Sequence, residues 1–139
     1  MCSPEEIGND EIICRRVSAN SGWYDPVRGE VKPEAFKPRV GDEGVSVDRL
    51  ASDVHPNFRS TKESAAGQAG KEYYAVCLSV ASLREHGIEV VSQPLGENPG
   101  HAEIVDLTYE NRKSDSSLEI MTFLAHEAVL RVEGPFLSN

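Results

Sequence analysis

The stretch from Tyr73 to Leu107 constrains the chain most, because strand and helix signals follow one another there without interruption. Tyr-Tyr-Ala-Val-Cys-Leu-Ser-Val is a short apolar run rich in Val and Tyr, which favours a buried strand over a helix. Ser79 is placed to N-cap a short helix from Val80 to His86, and Gly87 suits the left-handed residue that closes such a helix. Ile88 to Val91 reads as a second strand. After the turn-rich Gly96-Glu97-Asn98-Pro99-Gly100, His101 to Leu107 reads as a third. That third run alternates, with Ala102, Ile104 and Asp106 on one side and Glu103, Val105 and Leu107 on the other, the pattern of a half-buried strand. The rest of the chain is expected to pack on this block.

Upstream, residues 1 to about 10 read as a loose polar arm, and 11 to 139 as one domain. Glu11 to Val17 reads as a first strand broken by Arg15 and Arg16, which must point to opposite faces. One of the two is therefore an anchor or site candidate, and the pattern does not say which. Asn20 to Gly44 is punctuated by Pro26, Pro33 and Pro38 and by several glycines, so it reads as an extended, turn-rich segment. Trp23, Tyr24 and Phe36 either pin this segment to the core or line a pocket. Val45 to Leu50 alternates as a strand, with Ser46, Asp48 and Leu50 on one face and Val45, Val47 and Arg49 on the other.

Two capping boxes, Ser60-Thr61-Lys62-Glu63 and Ser116 to Glu119, predict helix starts. The first opens a small-residue helix from Thr61 to Ala69. The second opens an amphipathic helix with Leu118, Met121, Ala125 and Ala128 on one stripe, widened by Phe123 and Leu124. Val129 to Glu133 reads as a last strand, with Gly134-Pro135 ending the ordered chain. The fold class expected is α+β, with a mixed, mainly antiparallel sheet of five or six strands and two to three helices. No internal repeat is present.

With 139 residues and 39% hydrophobic composition, the chain can bury a core without staples. A net charge of −9 opposes sequence-independent binding to a phosphate backbone, so no duplex DNA is expected. No apolar run is long enough for a membrane span and no secretory signal is read at the N-terminus, so the expectation is a cytoplasmic protein without a membrane partner. Cys2, Cys14 and Cys77 are odd in number and lack paired spacing, which predicts neither a zinc site nor a disulfide framework. Cys14 and Cys77, in apolar runs, are expected to be buried, inert thiols. The four histidines are scattered, so no metal site is expected, and no cofactor motif of the P-loop, nucleophile-elbow or dinucleotide-binding kind occurs.

The most suggestive local constellation is His101 and Glu103. At i and i+2 on a strand they share a face, and a carboxylate beside an imidazole can set its tautomer for acid–base work. The alternative is that His101 hydrogen-bonds the loop backbone and fixes the turn. Arg49, His55, Arg59 and Lys62 form the one locally basic stretch and are anion-binding candidates, with Lys62 at a predicted helix N-terminus. Arg16 and Ser46 complete the candidate catalytic set with His101 and Glu103.

The chain resembles a family of small bacterial cytoplasmic proteins without an assigned activity. The likeness is carried by Cys14-Arg15-Arg16-Val17, Ala35-Phe36-Lys37-Pro38, Asp42-Glu43-Gly44-Val45-Ser46-Val47-Asp48 and Asn98-Pro99-Gly100-His101-Ala102-Glu103-Ile104. It implies a bacterial cytoplasmic setting and no reaction. The leading functional expectation is a small binding or accessory module acting through a protein partner. The alternative is an enzyme acting on a nucleotide or RNA, either a nuclease or one with the Arg–Ser–Glu strand layout of ADP-ribosyltransferase-like folds. A role as a toxin or immunity component is compatible with either.

Overall fold

The structure is a computed structural model that describes residues 6–50, 71–94 and 100–137. Among these described residues, eight strands, β1 (Ile12–Ser18), β2 (Tyr24–Asp25), β3 (Glu30–Val31), β4 (Val45–Arg49), β5 (Glu72–Ser79), β6 (Val90–Ser92), β7 (His101–Ile104) and β8 (Val132–Leu137), are joined by two α-helices. These are α1 (Val80–Glu85) and α2 (Asp115–Ala128). Six strands form one sheet in the order β6-β7-β4-β1-β5-β8, and β2 pairs with β3 separately. Every pairing is antiparallel, so the α+β expectation holds while the parallel component of a mixed sheet is absent from the described residues.

Alternation along the strands builds the core. Ile13 and Val17 on β1, Val45 and Val47 on β4, Val76 and Leu78 on β5 and Ala102 and Ile104 on β7 are all buried on one face. The helices and a 3₁₀ turn at Pro33–Phe36 bring Phe36, Leu83, Met121, Leu124, Ala125 and Ala128 to the same cluster. Each fully buried large apolar side chain contributes about 1.5–3 kcal/mol.

α1 follows the expected local rules. The Ser79 side chain accepts from the Ser82 N–H, and Gly87, at φ 72°, closes the helix. Gly87 N–H bonds Arg84 O and Ile88 N–H bonds Leu83 O, the paired bonds of a Schellman cap. α2 starts two residues before the expected box: Ser114 is the cap, its Oγ accepting from Ser117 N–H at 3.1 Å. The buried stripe of α2 runs through Ser117, Met121, Leu124, Ala125 and Ala128, and Leu118, expected on it, is 48% exposed. At the other end β8 runs through Gly134-Pro135, whose peptide bond is cis, instead of stopping there. The small-residue helix expected at Thr61 to Ala69 lies outside the described residues.

The irregular segment from 20 to 44 is pinned, not open. Phe36 is fully buried, Trp23 and Tyr24 pack on the core, and the Tyr24 and Tyr74 rings meet edge-on at 4.7 Å. The described part of the N-terminal arm is also docked, since Ile7 is buried in the core cluster.

Arg15 and Arg16 separate as alternation requires. Arg15 is on the core side, where Nε donates to Ala35 O at 2.8 Å and Nη1 to Ser46 O at 2.7 Å. The β1–β4 ladder registers only Ile13 with Arg49 and Cys14 with Asp48, and beyond that point the Arg15 guanidinium spans from β1 to the Ser46 carbonyl of β4. Loss of water around it, reinforced by repulsion from Arg39, lowers its pKa to about 10, so it remains a cation at neutral pH.

Candidate functional site

The sheet face turned away from the helices gathers most of the chemistry-bearing residues. Two rungs cross it. Cys77, Cys14, Asp48 and His101 lie opposite one another in sequence across β5, β1, β4 and β7, and Ser46, Glu103 and Val91 do so across β4, β7 and β6. Arg16, two residues from Cys14 on β1, projects from the same face, its guanidinium carbon 5.7 Å from the Tyr73 ring centroid.

Hydrogen-bond parity sets how close the pairs are. Arg49 N–H donates to Gly100 O at 2.8 Å, so the odd-numbered residues of β4 carry its ladder bonds toward β7. Ser46 with Glu103 and Asp48 with His101 are therefore non-hydrogen-bonded pairs, the closer kind, with Cα atoms about 4.5 Å apart. The face has two zones. Around Cys14, Ala75 and Cys77 it is buried, with Ile12 and Leu50 packed alongside. Toward Arg16, Ser46 and Glu103 it opens: Ser46 is exposed and the other two are half-buried.

His101 and Glu103 share this face, as expected, yet their polar atoms are directed apart. His101 Nδ1 lies 2.9 Å from Gln93 O, and Gln93 N–H returns a 2.9 Å bond to His101 O. A carbonyl only accepts, so Nδ1 carries the proton and neutral His101 presents Nε2 as its basic nitrogen. The Glu103 carboxylate leans over Gly44, where an added Cβ would sit 2.9 Å from Oε2. His101 is thus fixed to backbone, the alternative reading of that residue.

Arg49 does not form part of an anion-receiving surface. Its side chain is fully buried, with Nε 2.7 Å from Glu11 Oε1 and Nη2 2.6 Å from Glu11 Oε2. Position 49 falls on the core parity of β4, so a cation there needs an internal carboxylate, and Glu11 supplies it. The other three anion candidates, His55, Arg59 and Lys62, lie outside the described residues.

Sequence reasoning missed Asp48 as a member of the site. It is 7% exposed on the same face, directly opposite His101. Its signal was the i, i+2 spacing from Ser46. Among the described residues, no group of three His, Cys, Asp or Glu side chains is placed to hold a metal ion. A shallow depression lies elsewhere, on α2, lined by Leu118, Glu119, Thr122, Phe123 and His126. No helix among the described residues is long and apolar enough to cross a membrane. Comparison with protein-family models, with curated proteins and with solved structures finds no match to this chain.

Proposed function

We propose that the chain is a small binding module that acts through a protein partner, and that its recognition surface is the outer sheet face at β1, β4 and β7. The observation that supports this is the grouping of Arg16, Ser46, Asp48, His101 and Glu103 on one face of adjacent strands. The half-buried and exposed members offer a cation, a carboxylate, a hydroxyl and an imidazole within a few ångströms of strand spacing, with the buried Asp48 carboxylate beside them, a pattern suited to polar recognition. The anchoring of His101 to backbone and of Glu103 over Gly44 favours a fixed recognition surface over an acid–base pair. The bacterial setting implied by the family resemblance belongs to the same proposal. Affinity capture of the tagged chain from its native cells is expected to recover one protein in stoichiometric amount. Recovery of none would count against the reading.

The second reading, an enzyme acting on a nucleotide or RNA, has one specific observation in its favour. Arg16, Ser46 and Glu103 lie on the same face, and Ser46 pairs directly with Glu103. Incubation with nucleotides and with RNA would show turnover that Glu103→Gln abolishes without loss of fold. A toxic role on expression would follow the same dependence on Glu103.

A further inference from the structure

We infer that Cys14 and Cys77 form a two-electron redox site that closes to a cross-strand disulfide joining β1 and β5. The two residues are directly opposite in the antiparallel ladder, and their sulfur atoms are 2.9 Å apart. Both are thiols, 0% and 3% exposed.

The ladder parity makes this pairing productive. Cys77 N–H donates to Arg131 O at 2.9 Å, on the β8 side, so neither backbone group of Cys77 is turned toward β1. Cys14 and Cys77 are consequently a non-hydrogen-bonded pair, with Cα atoms about 4.5 Å apart. That separation is within the range a disulfide spans without backbone movement, about 4.4–6.8 Å. The linkage would join positions 63 apart in the chain and tie the two strands at the centre of the sheet.

The oxidant is a peroxide. Burial and the bond to Cys77 hold the Cys14 proton, so Cys77 is the sulfur that, as its thiolate, attacks a peroxide oxygen; the O–O bond breaks, water leaves after protonation, and the Cys77 sulfur becomes a sulfenic acid. The second sulfur then attacks the first, the S–O bond breaks and a second water leaves. Two thiols and one hydrogen peroxide give one disulfide and two waters, with two electrons passed to the peroxide. The second step is intramolecular between sulfurs already in contact, which favours it over further oxidation to the sulfinic acid. Cys14 is fully buried and Cys77 3% exposed, so a peroxide meets the pair at Cys77, and bulkier oxidants are excluded.

The test treats the folded chain with hydrogen peroxide, removes the oxidant, denatures, alkylates the remaining thiols and maps peptides by mass spectrometry. A peptide pair joining Cys14 to Cys77, two hydrogens lighter than the separate thiol peptides and released by dithiothreitol, is expected. It should form equally in Cys2→Ser and disappear in Cys77→Ala and in Cys14→Ser, each first shown to be folded by circular dichroism. If either variant does not fold, the wild-type and Cys2→Ser maps decide the matter alone. Full alkylation of both cysteines after treatment that cross-links the unfolded chain would overturn the inference. So would cross-links confined to Cys2, or separate sulfinic acids at Cys14 and Cys77.

Discussion

Arg49 and Glu11 form a buried two-point ion pair, Nη2 to Oε2 at 2.6 Å and Nε to Oε1 at 2.7 Å, that ties the entry of β1 to the end of β4. The carboxylate also accepts from Gly8 N–H at 2.7 Å, and Arg49 Nη2 donates to Glu6 O at 3.1 Å. The pair therefore fastens the N-terminal segment to the sheet. Removing either member strips the other's buried charge of this two-point partner, so Arg49→Met or Glu11→Gln should each cost about 3–5 kcal/mol. Replacing both, as Arg49→Met with Glu11→Leu, should recover most of that loss. Denaturant unfolding of the four proteins checks it, and single replacements costing below about 1 kcal/mol would contradict a dry pair.

Arg15 performs a different task from the same sheet, holding a wedge between β1 and β4 by bonding the carbonyls of Ala35 and Ser46. Lysine offers a single ammonium and cannot place donors as a planar fork does. Arg15→Lys should cost about 1–3 kcal/mol and speed hydrogen exchange at the Ala35 and Lys37 amides of the 3₁₀ turn. Exchange there unchanged from the parent would show that the turn is held by Phe36 packing alone.

Much of this architecture was legible beforehand because it depends on local rules. Ser79 and Gly87 bracket α1 by capping chemistry, and the alternation in Val45 to Arg49 assigns both faces of β4. What escaped was set by partners distant in sequence. Arg49 looked like part of a basic surface because Glu11, its counterion, is 38 positions away. The choice between Arg15 and Arg16 depended on where the Ala35 carbonyl would fall. Likewise the contact between Cys14 and Cys77 follows from the β1–β5 register, which no spacing reveals. The common face of Arg16, Ser46 and Glu103 was a loose similarity of layout until strand order placed β1, β4 and β7 side by side.

Gly44 tests the geometry of the candidate site. A Cβ there would meet Glu103 Oε2 at 2.9 Å and Ile104 O at 3.2 Å. The carboxylate can swing away and the backbone carbonyl cannot, so Gly44→Ala should cost about 1 kcal/mol and displace the Glu103 carboxylate. In a Glu103→Ala background the same change should cost less. Equal costs in the two backgrounds, measured by thermal unfolding, would mean that Glu103 does not cover Gly44.

Alkaline pH should weaken the fold through Cys14. The hydrogen bond with Cys77 and burial, with further repulsion from Cys77 and Glu133 that outweighs attraction by Arg131, raise its pKa well above the ordinary thiol value. A raised folded-state pKa means that the native chain holds more protons than the unfolded chain above about pH 9, so stability is intact below that value and falls as pH climbs past it. Stability measured from pH 8 to 10.5 should drop by up to about 1.4 kcal/mol per pH unit more in the parent than in Cys14→Ala. Parallel profiles would show that Cys14 does not titrate differently on unfolding.

The most direct test of the proposed recognition surface is quantitative capture of the native partner by variants of the two faces. Ser46→Glu and Glu103→Lys alter the outer sheet face, while Leu118→Ser alters the exposed side of α2. If β1, β4 and β7 form the recognition surface, the first two should lower partner recovery at least about tenfold, a loss of roughly 1.4 kcal/mol, with Leu118→Ser at the parental level. Recovery unaffected by Ser46→Glu and Glu103→Lys but lost in Leu118→Ser would place recognition on α2 and contradict the assignment.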